Sequence, residues 1–131
     1  MKNILITGGL GFLGVHSIEK WHESGWQVYV IDNLSSNTIA PGHPVAQKAE
    51  RIITKDILQT SWDELPALDM ILHLASPVGP VGVLKHSGRM AKIIMDDIYW
   101  AVEGAKLNSC PLVFVSTSEI YGHRTRRLHG S

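Results

Sequence analysis

A chain of 131 residues is long enough for one domain with a real core. Its 44% hydrophobic and 18% charged composition fits a soluble globular class, and a formal net charge of zero gives no electrostatic case for nucleic acid. A lone cysteine, Cys110, excludes an intramolecular disulfide; no apolar run approaches the ~20 residues of a membrane span, and the first apolar stretch is too short for a signal-peptide core, so the cytoplasm is the expected location.

Ile4-Leu5-Ile6-Thr7 is short, apolar and β-branched and reads as a buried strand, punctuated by Gly8-Gly9-Leu10-Gly11. From Phe12 the period becomes helical: Leu13, Ser17 and Trp21 share a face with Gly14 and Ile18, and Gly25 stands where a helix would stop. Residues 27–32 form a second strand ending in Asp32. The stretch from Asn33 to about Gln47, with Pro41, Gly42 and Pro44, reads mostly as loop. Residues 51–54 give a third strand, and Ser61 is placed to N-cap a brief helix over Trp62-Asp63-Glu64. A fourth strand runs over 70–74, followed by a loop over 77–82. A long helix is predicted from about Gly88 to Leu107, with a buried stripe of Met90, Ile94, Ile98, Ala101 and Ala105. A fifth strand covers 111–116. Strands alternating with helices, and mostly apolar on both faces, predict an α/β Rossmann-type doubly wound parallel sheet. Right-handed crossovers favour the strand order 3-2-1-4-5.

Gly8-x-x-Gly11-x-x-Gly14 lies between the first strand and the first helix. The first glycine permits the tight turn, the second lets backbone approach a pyrophosphate, and the third allows helix to pack closely on strand. The helix N-terminus then offers free N–H groups and a positive dipole to phosphates. Three glycines alone are weak evidence; here Asp32 follows Gly14 by 18 residues, at the end of the next strand. A carboxylate there can accept from ribose hydroxyls and repels a 2′-phosphate, and no arginine follows in Asn33-Leu34-Ser35-Ser36, so NAD is favoured over NADP.

Five segments then resemble the extended short-chain dehydrogenase/reductase family, the NAD-dependent nucleotide-sugar epimerases and dehydratases. Thr7-Gly8-Gly9-Leu10-Gly11-Phe12-Leu13-Gly14 resembles its glycine fingerprint, and Asp32-Asn33-Leu34-Ser35 its second-strand ending. Asp56-Ile57 is similar to the acid-plus-apolar pair that meets the adenine, and His73-Leu74-Ala75-Ser76 to the motif that lines the cofactor after the fourth strand. Ser116-Thr117-Ser118-Glu119-Ile120-Tyr121-Gly122 matches the segment ending the fifth strand. Residues 1–122 would then be the N-terminal part of an NAD-binding domain, residues 123–131 a short basic tail with Arg124, Arg126 and Arg127, and a substrate domain is absent. The resemblance implies a nucleotide-sugar substrate for the full-length family and makes Thr117 the active-site hydroxyl. Ser118 lacks the acid of the dehydratases, and His73-Leu74-Ala75-Ser76-Pro77 leans towards UDP-glucuronate decarboxylases. Family members dimerise through helices that include the long one, so a homo-oligomer is implied, through that helix or an exposed sheet edge.

The chain departs from the family in two places. Family chemistry needs Tyr-x-x-x-Lys, a tyrosine whose pKa is brought down by the lysine. The residues four beyond Tyr29, Tyr99 and Tyr121 are Asn33, Glu103 and Thr125. The family's Asn-x-x-Gly-Thr is replaced by Ile94-Met95-Asp96-Asp97-Ile98. The chain therefore reads as a truncated form, inactive by itself, with a non-catalytic NAD-binding or partner-docking module as the alternative. Its fifth strand becomes an apolar sheet edge, which predicts association or marginal stability. Asp96 and Asp97 read as a solvated helix face, His73 as a hydrogen-bonded core residue, the four tryptophans as packing, and no histidine spacing suits a metal site.

Overall fold

The computed structural model describes residues 1–35, 37–75 and 87–115. Five parallel strands, β1 (Asn3–Thr7), β2 (Gln27–Ile31), β3 (Arg51–Ile53), β4 (Met70–His73) and β5 (Leu112–Phe114), form one sheet in the order β3-β2-β1-β4-β5. The expected fold and strand order are thus both present. Helices α1 (Phe12–Glu23) and α2 (Ser87–Asn108) pack on opposite faces. Single 3-10 turns lie at Ala46–Lys48, Ile57–Gln59 and Trp62–Glu64, the first overlapping the end of the stretch expected to be loop. No helix among the described residues is long and apolar enough to cross a membrane.

The strands are apolar on both faces because both faces are covered. Ile4, Ile6, Val28 and Val30 meet Ile18 and Leu10 under α1, while Leu5, Ile31, Ile53 and Ile71 meet Trp100 and Ala101 under α2. Register aligns Thr7 with Ile31 and with His73, so the residues that follow β1, β2 and β4 emerge together at one edge of the sheet. The chain leaves β1 towards β2 and β3 on one side and resumes at β4 and β5 on the other. In open sheets such a reversal is where ligands bind, outside the carboxyl ends of the strands.

Capping explains the helix boundaries. At the end of α1, Gly25 adopts a φ of 87° and its N–H donates to His22 O (3.0 Å), while Trp26 N–H donates to Trp21 O (3.1 Å). This is a Schellman ending, and its apolar contact is the Trp21–Trp26 ring pair, 4.7 Å between centroids. Ser61 caps the 62–64 turn as its sequence predicts: its hydroxyl accepts from Asp63 N–H (3.3 Å) and Glu64 Oε2 accepts from Ser61 N–H (2.9 Å). That turn presents Trp62, which stacks on Trp100 of α2 with ring centroids 4.0 Å apart.

The predicted helical faces are partly rotated. Leu13 is exposed although it shares the apolar spacing of α1, because only from Gly14 onward does the helix lie over the sheet. Among the described side chains of α2 the buried positions are Asp97, Trp100, Ala101 and Gly104, with Ile94, Ile98 and Ala105 at their flanks; the side chain of Met90 lies outside the described ones. The solvated-face reading holds for Asp96, which accepts from Lys92 Nζ (2.8 Å), and fails for Asp97, which is 8% exposed. Periodicity located the helix but did not say which arc the sheet covers.

Candidate functional site

The turn after β1 is built from backbone. Gly8 sits at φ 68°, and a Cβ there would meet Ala75 N at 2.8 Å. A Cβ on Gly14 would lie 2.4 Å from the carbonyl group of Gly9, so the first turn of α1 rests directly on the loop. Gly11 differs: the nearest atom to its Cβ position is Gly8 O, at 3.4 Å. The fold itself leaves room for a side chain at Gly11, on the open flank of the loop. Gly9, which the sequence reading did not single out, is pressed against Val30, 2.7 Å from its Cβ position.

Gly11 is also the N-cap of α1, with no side-chain cap and no acidic residue in the first turn. The first N–H groups of the helix lack intrahelical partners by construction. Phe12 and Leu13 hold their side chains out at the mouth, Phe12 at 69% exposure. An open helix N-terminus flanked by apolar side chains is a receptor for an anion.

Asp32 closes the cradle from β2. It is 7% exposed, and its carboxylate already serves two backbone groups: Oδ2 accepts from Leu10 N–H (3.0 Å) and Oδ1 from Leu34 N–H (2.7 Å). Two of roughly four acceptor positions on the carboxylate are used, leaving capacity for a pair of ribose hydroxyls. The turn holds Leu34 at φ 65°, a left-handed conformation that costs a non-glycine residue roughly 1–2 kcal/mol. Asn33 is exposed and accepts from Ser35 N–H (3.0 Å). Leu10, fully buried, anchors the glycine loop from below, a role no motif announced.

The β4 side is tied to β1 through Thr7. The Thr7 hydroxyl accepts from Leu74 N–H (3.0 Å) and Ala75 N–H (3.1 Å) and lies 2.7 Å from His73 Nδ1. Having accepted twice, it donates its own proton to Nδ1, which assigns the neutral Nε2–H tautomer to His73. Burial agrees, lowering the imidazole pKa to about 4. His73 is the hydrogen-bonded core residue expected from the sequence. Its partner holds Leu74 and Ala75 against Gly8.

On the β3 side, Asp56 caps the 57–59 turn by accepting from Leu58 N–H (3.3 Å), and Ile57 is buried beneath it. Gly8, Gly11, Phe12, Leu13, Gly14, Asp32, Asn33, Asp56, Ile57, Leu74 and Ala75 therefore all lie along the carboxyl ends of β1–β4. Ser76, Thr117 and the segments 77–82 and 116–131 lie outside the described residues. The donors and spaces present fit a dinucleotide: an uncapped helix end for pyrophosphate, an open flank at Gly11, and a buried acid for ribose.

The sequence profile of the NAD dependent epimerase/dehydratase family matches residues 4–130. The UDP-glucuronic acid decarboxylase 1 of Danio rerio is 32% identical over 122 residues, which are 92% of this chain and 28% of that protein. A UDP-glucose 4-epimerase of Neisseria meningitidis serogroup A is 32% identical over 132 residues, 93% of this chain and 38% of the relative. Among solved structures, the UDP-N-acetylglucosamine 4-epimerase from Methanobrevibacter ruminantium M1, in complex with UDP-N-acetylmuramic acid, superposes with a TM-score of 0.75 at 28% identity, covering 92% of this chain and 39% of the other. The chain thus spans well under half the length of these relatives. A profile match over residues 4–130, on a parallel sheet of this order, makes the chain a member of the NAD dependent epimerase/dehydratase family.

Proposed function

We propose that this chain is the NAD-holding part of a nucleotide-sugar epimerase, dehydratase or decarboxylase. The observation that carries the reading is the cradle at Gly8–Gly14. Its glycine turn is packed beneath an uncapped helix N-terminus, and Asp32 seals its far side. In this reading Gly8, Gly11, Phe12, Leu13 and Gly14 hold the pyrophosphate, Asp32 and Asn33 the adenosine ribose, Asp56 and Ile57 the base, and Leu74, Ala75 and Ser76 the nicotinamide side. NAD, when bound, supplies a hydride acceptor. Thr117 is the hydroxyl assigned to the sugar. The nucleotide-sugar class is supported by the relatives' substrates, UDP-sugars in the proteins named above. Residues 1–122 form the cofactor domain, 123–131 a basic tail, and the cytoplasm is the proposed location.

The 131 residues contain no Tyr-x-x-x-Lys, so the chain alone binds cofactor without turnover. That absence is also what favours the second reading, a non-catalytic NAD-binding or partner-docking module. Calorimetric titration tests the proposal. NAD binds saturably and NADP at least about tenfold more weakly, because the Asp32 carboxylate repels a 2′-phosphate. Asp32→Ala weakens NAD by about tenfold or more. Equal affinities for NAD and NADP, or an undisturbed Asp32→Ala, would remove Asp32 from the site.

A further inference from the structure

We propose that Asp97 of α2 is a recognition residue for the base of the dinucleotide, accepting a hydrogen bond from the exocyclic amine of adenine beside Asp56. The inference rests on the NAD reading above and deepens it. In that reading the pyrophosphate lies over the turn after β1, the ribose at the end of β2, and the base beyond the next strand outward. That strand is β3, and its continuation is Asp56 and Ile57. Helix α2 packs on this same turn: Trp100 Nε1–H donates to Thr60 O (3.2 Å), and Ile57, Trp100 and Ala101 share one core cluster. Asp97 lies about one helical turn before Trp100, on the side of the strands' carboxyl ends.

Asp97 is 8% exposed, and among the described residues its Oδ1 has no hydrogen-bond partner. A buried polar atom without a partner calls for a reason, and a ligand is one. Its charged neighbours give no ion pair. Burial first, and then repulsion by Asp56 and Asp96, push its carboxyl up to about 6. Of the cations nearby in sequence and fold, Lys92 is paired with Asp96 and Lys55 with Glu64. On the strands that α2 covers, β1 and β5 have no titratable residue, β2 has Tyr29, β3 brings Arg51, whose guanidinium donates to Glu64 O, and β4 brings His73, held neutral. Above its pKa the carboxylate can only accept. An amine carries two N–H groups, one for each of Asp56 and Asp97.

The test compares NAD with its hypoxanthine analogue, in which a carbonyl replaces the adenine amine, by calorimetry on the whole chain between pH 5 and 8. At pH 8 the wild type prefers NAD by about tenfold or more, and Asp97→Leu weakens NAD by about tenfold while leaving the analogue within about twofold. Because the amine favours the ionised carboxylate, wild-type NAD affinity falls as pH drops through about 6. Asp97→Asn, which keeps the shape, flattens that dependence. Equal weakening of both ligands in the variants would reduce Asp97 to a structural role and overturn the inference. So would NAD affinity unchanged in folded variants, which leaves the NAD reading standing. A folded wild type that binds neither dinucleotide overturns both.

Discussion

At the residue scale, the junction of β1 with β4 rests on a few buried polar groups that satisfy one another. Thr7→Val would strip partners from His73 Nδ1 and from the N–H of Ala75, and leave Leu74 N–H with only the Thr7 carbonyl. Each unsatisfied buried group costs about 1–3 kcal/mol, so a urea melt should show a loss of at least about 2 kcal/mol, restored by Thr7→Ser. The acid profile of the same melts reports the neutral imidazole. His73 binds its proton less readily folded, near pH 4, than unfolded, near 6.5. Its contribution is full above about pH 6.5 and is lost as pH falls towards 4. Asp97 has the opposite sign: with a folded pKa of about 6 against 3.8 unfolded, it takes up its proton first in the native state, and stability rises as pH falls through that interval. His73→Asn should therefore flatten the acid loss and Asp97→Asn should steepen it. Parallel profiles in the two variants would contradict both assignments.

At the element scale, much of the structure is legible in the residues. The 3.6-residue period, Gly25 and Ser61 located α1, its end and the 62–64 turn, because each is a local effect of spacing or cap chemistry. What stayed hidden is decided by other elements. Asp97 looks like half of a solvated acidic pair until the sheet is seen to cover its arc of α2. Leu10 and Gly9 matter only because Asp32 and Val30 arrive from β2. Gly104 is a further case: a Cβ there would fall 2.0 Å from the Trp62 ring, so the Trp62–Trp100 stack requires a bare backbone at that turn. Gly104→Ala must displace the indole, and overpacking of this kind costs typically about 1–3 kcal/mol. Helix propensity alone would make the same change stabilising by up to about 1 kcal/mol. A destabilised variant identifies packing as the stronger term; a stabilised one would show that the indole moves freely.

At the scale of the whole molecule, burial is uneven. The central strands are sealed on both faces, while β5, last in the sheet order, exposes Val113, Phe114 and Val115, with Phe114 at 52%. An exposed apolar edge offers unpaired backbone groups to another chain, even over three residues. Sedimentation of the 131-residue chain should show concentration-dependent association that Val113→Lys reduces; a wild type that stays monomeric at every concentration would contradict this. The edge lies opposite to β3, and the described part of the cradle between them runs from Gly8 to Ala75. The central claim is that this cradle is shaped for a dinucleotide, and Gly11 tests it most directly. Its Cβ position is open within the protein and its φ of −79° suits alanine, so Gly11→Ala should fold with a loss of no more than about 1 kcal/mol. Calorimetry with NAD on wild type and Gly11→Ala should then show saturable binding in the first and at least about a tenfold loss in the second, at nearly equal stability. Equal NAD binding by the two proteins would contradict the account.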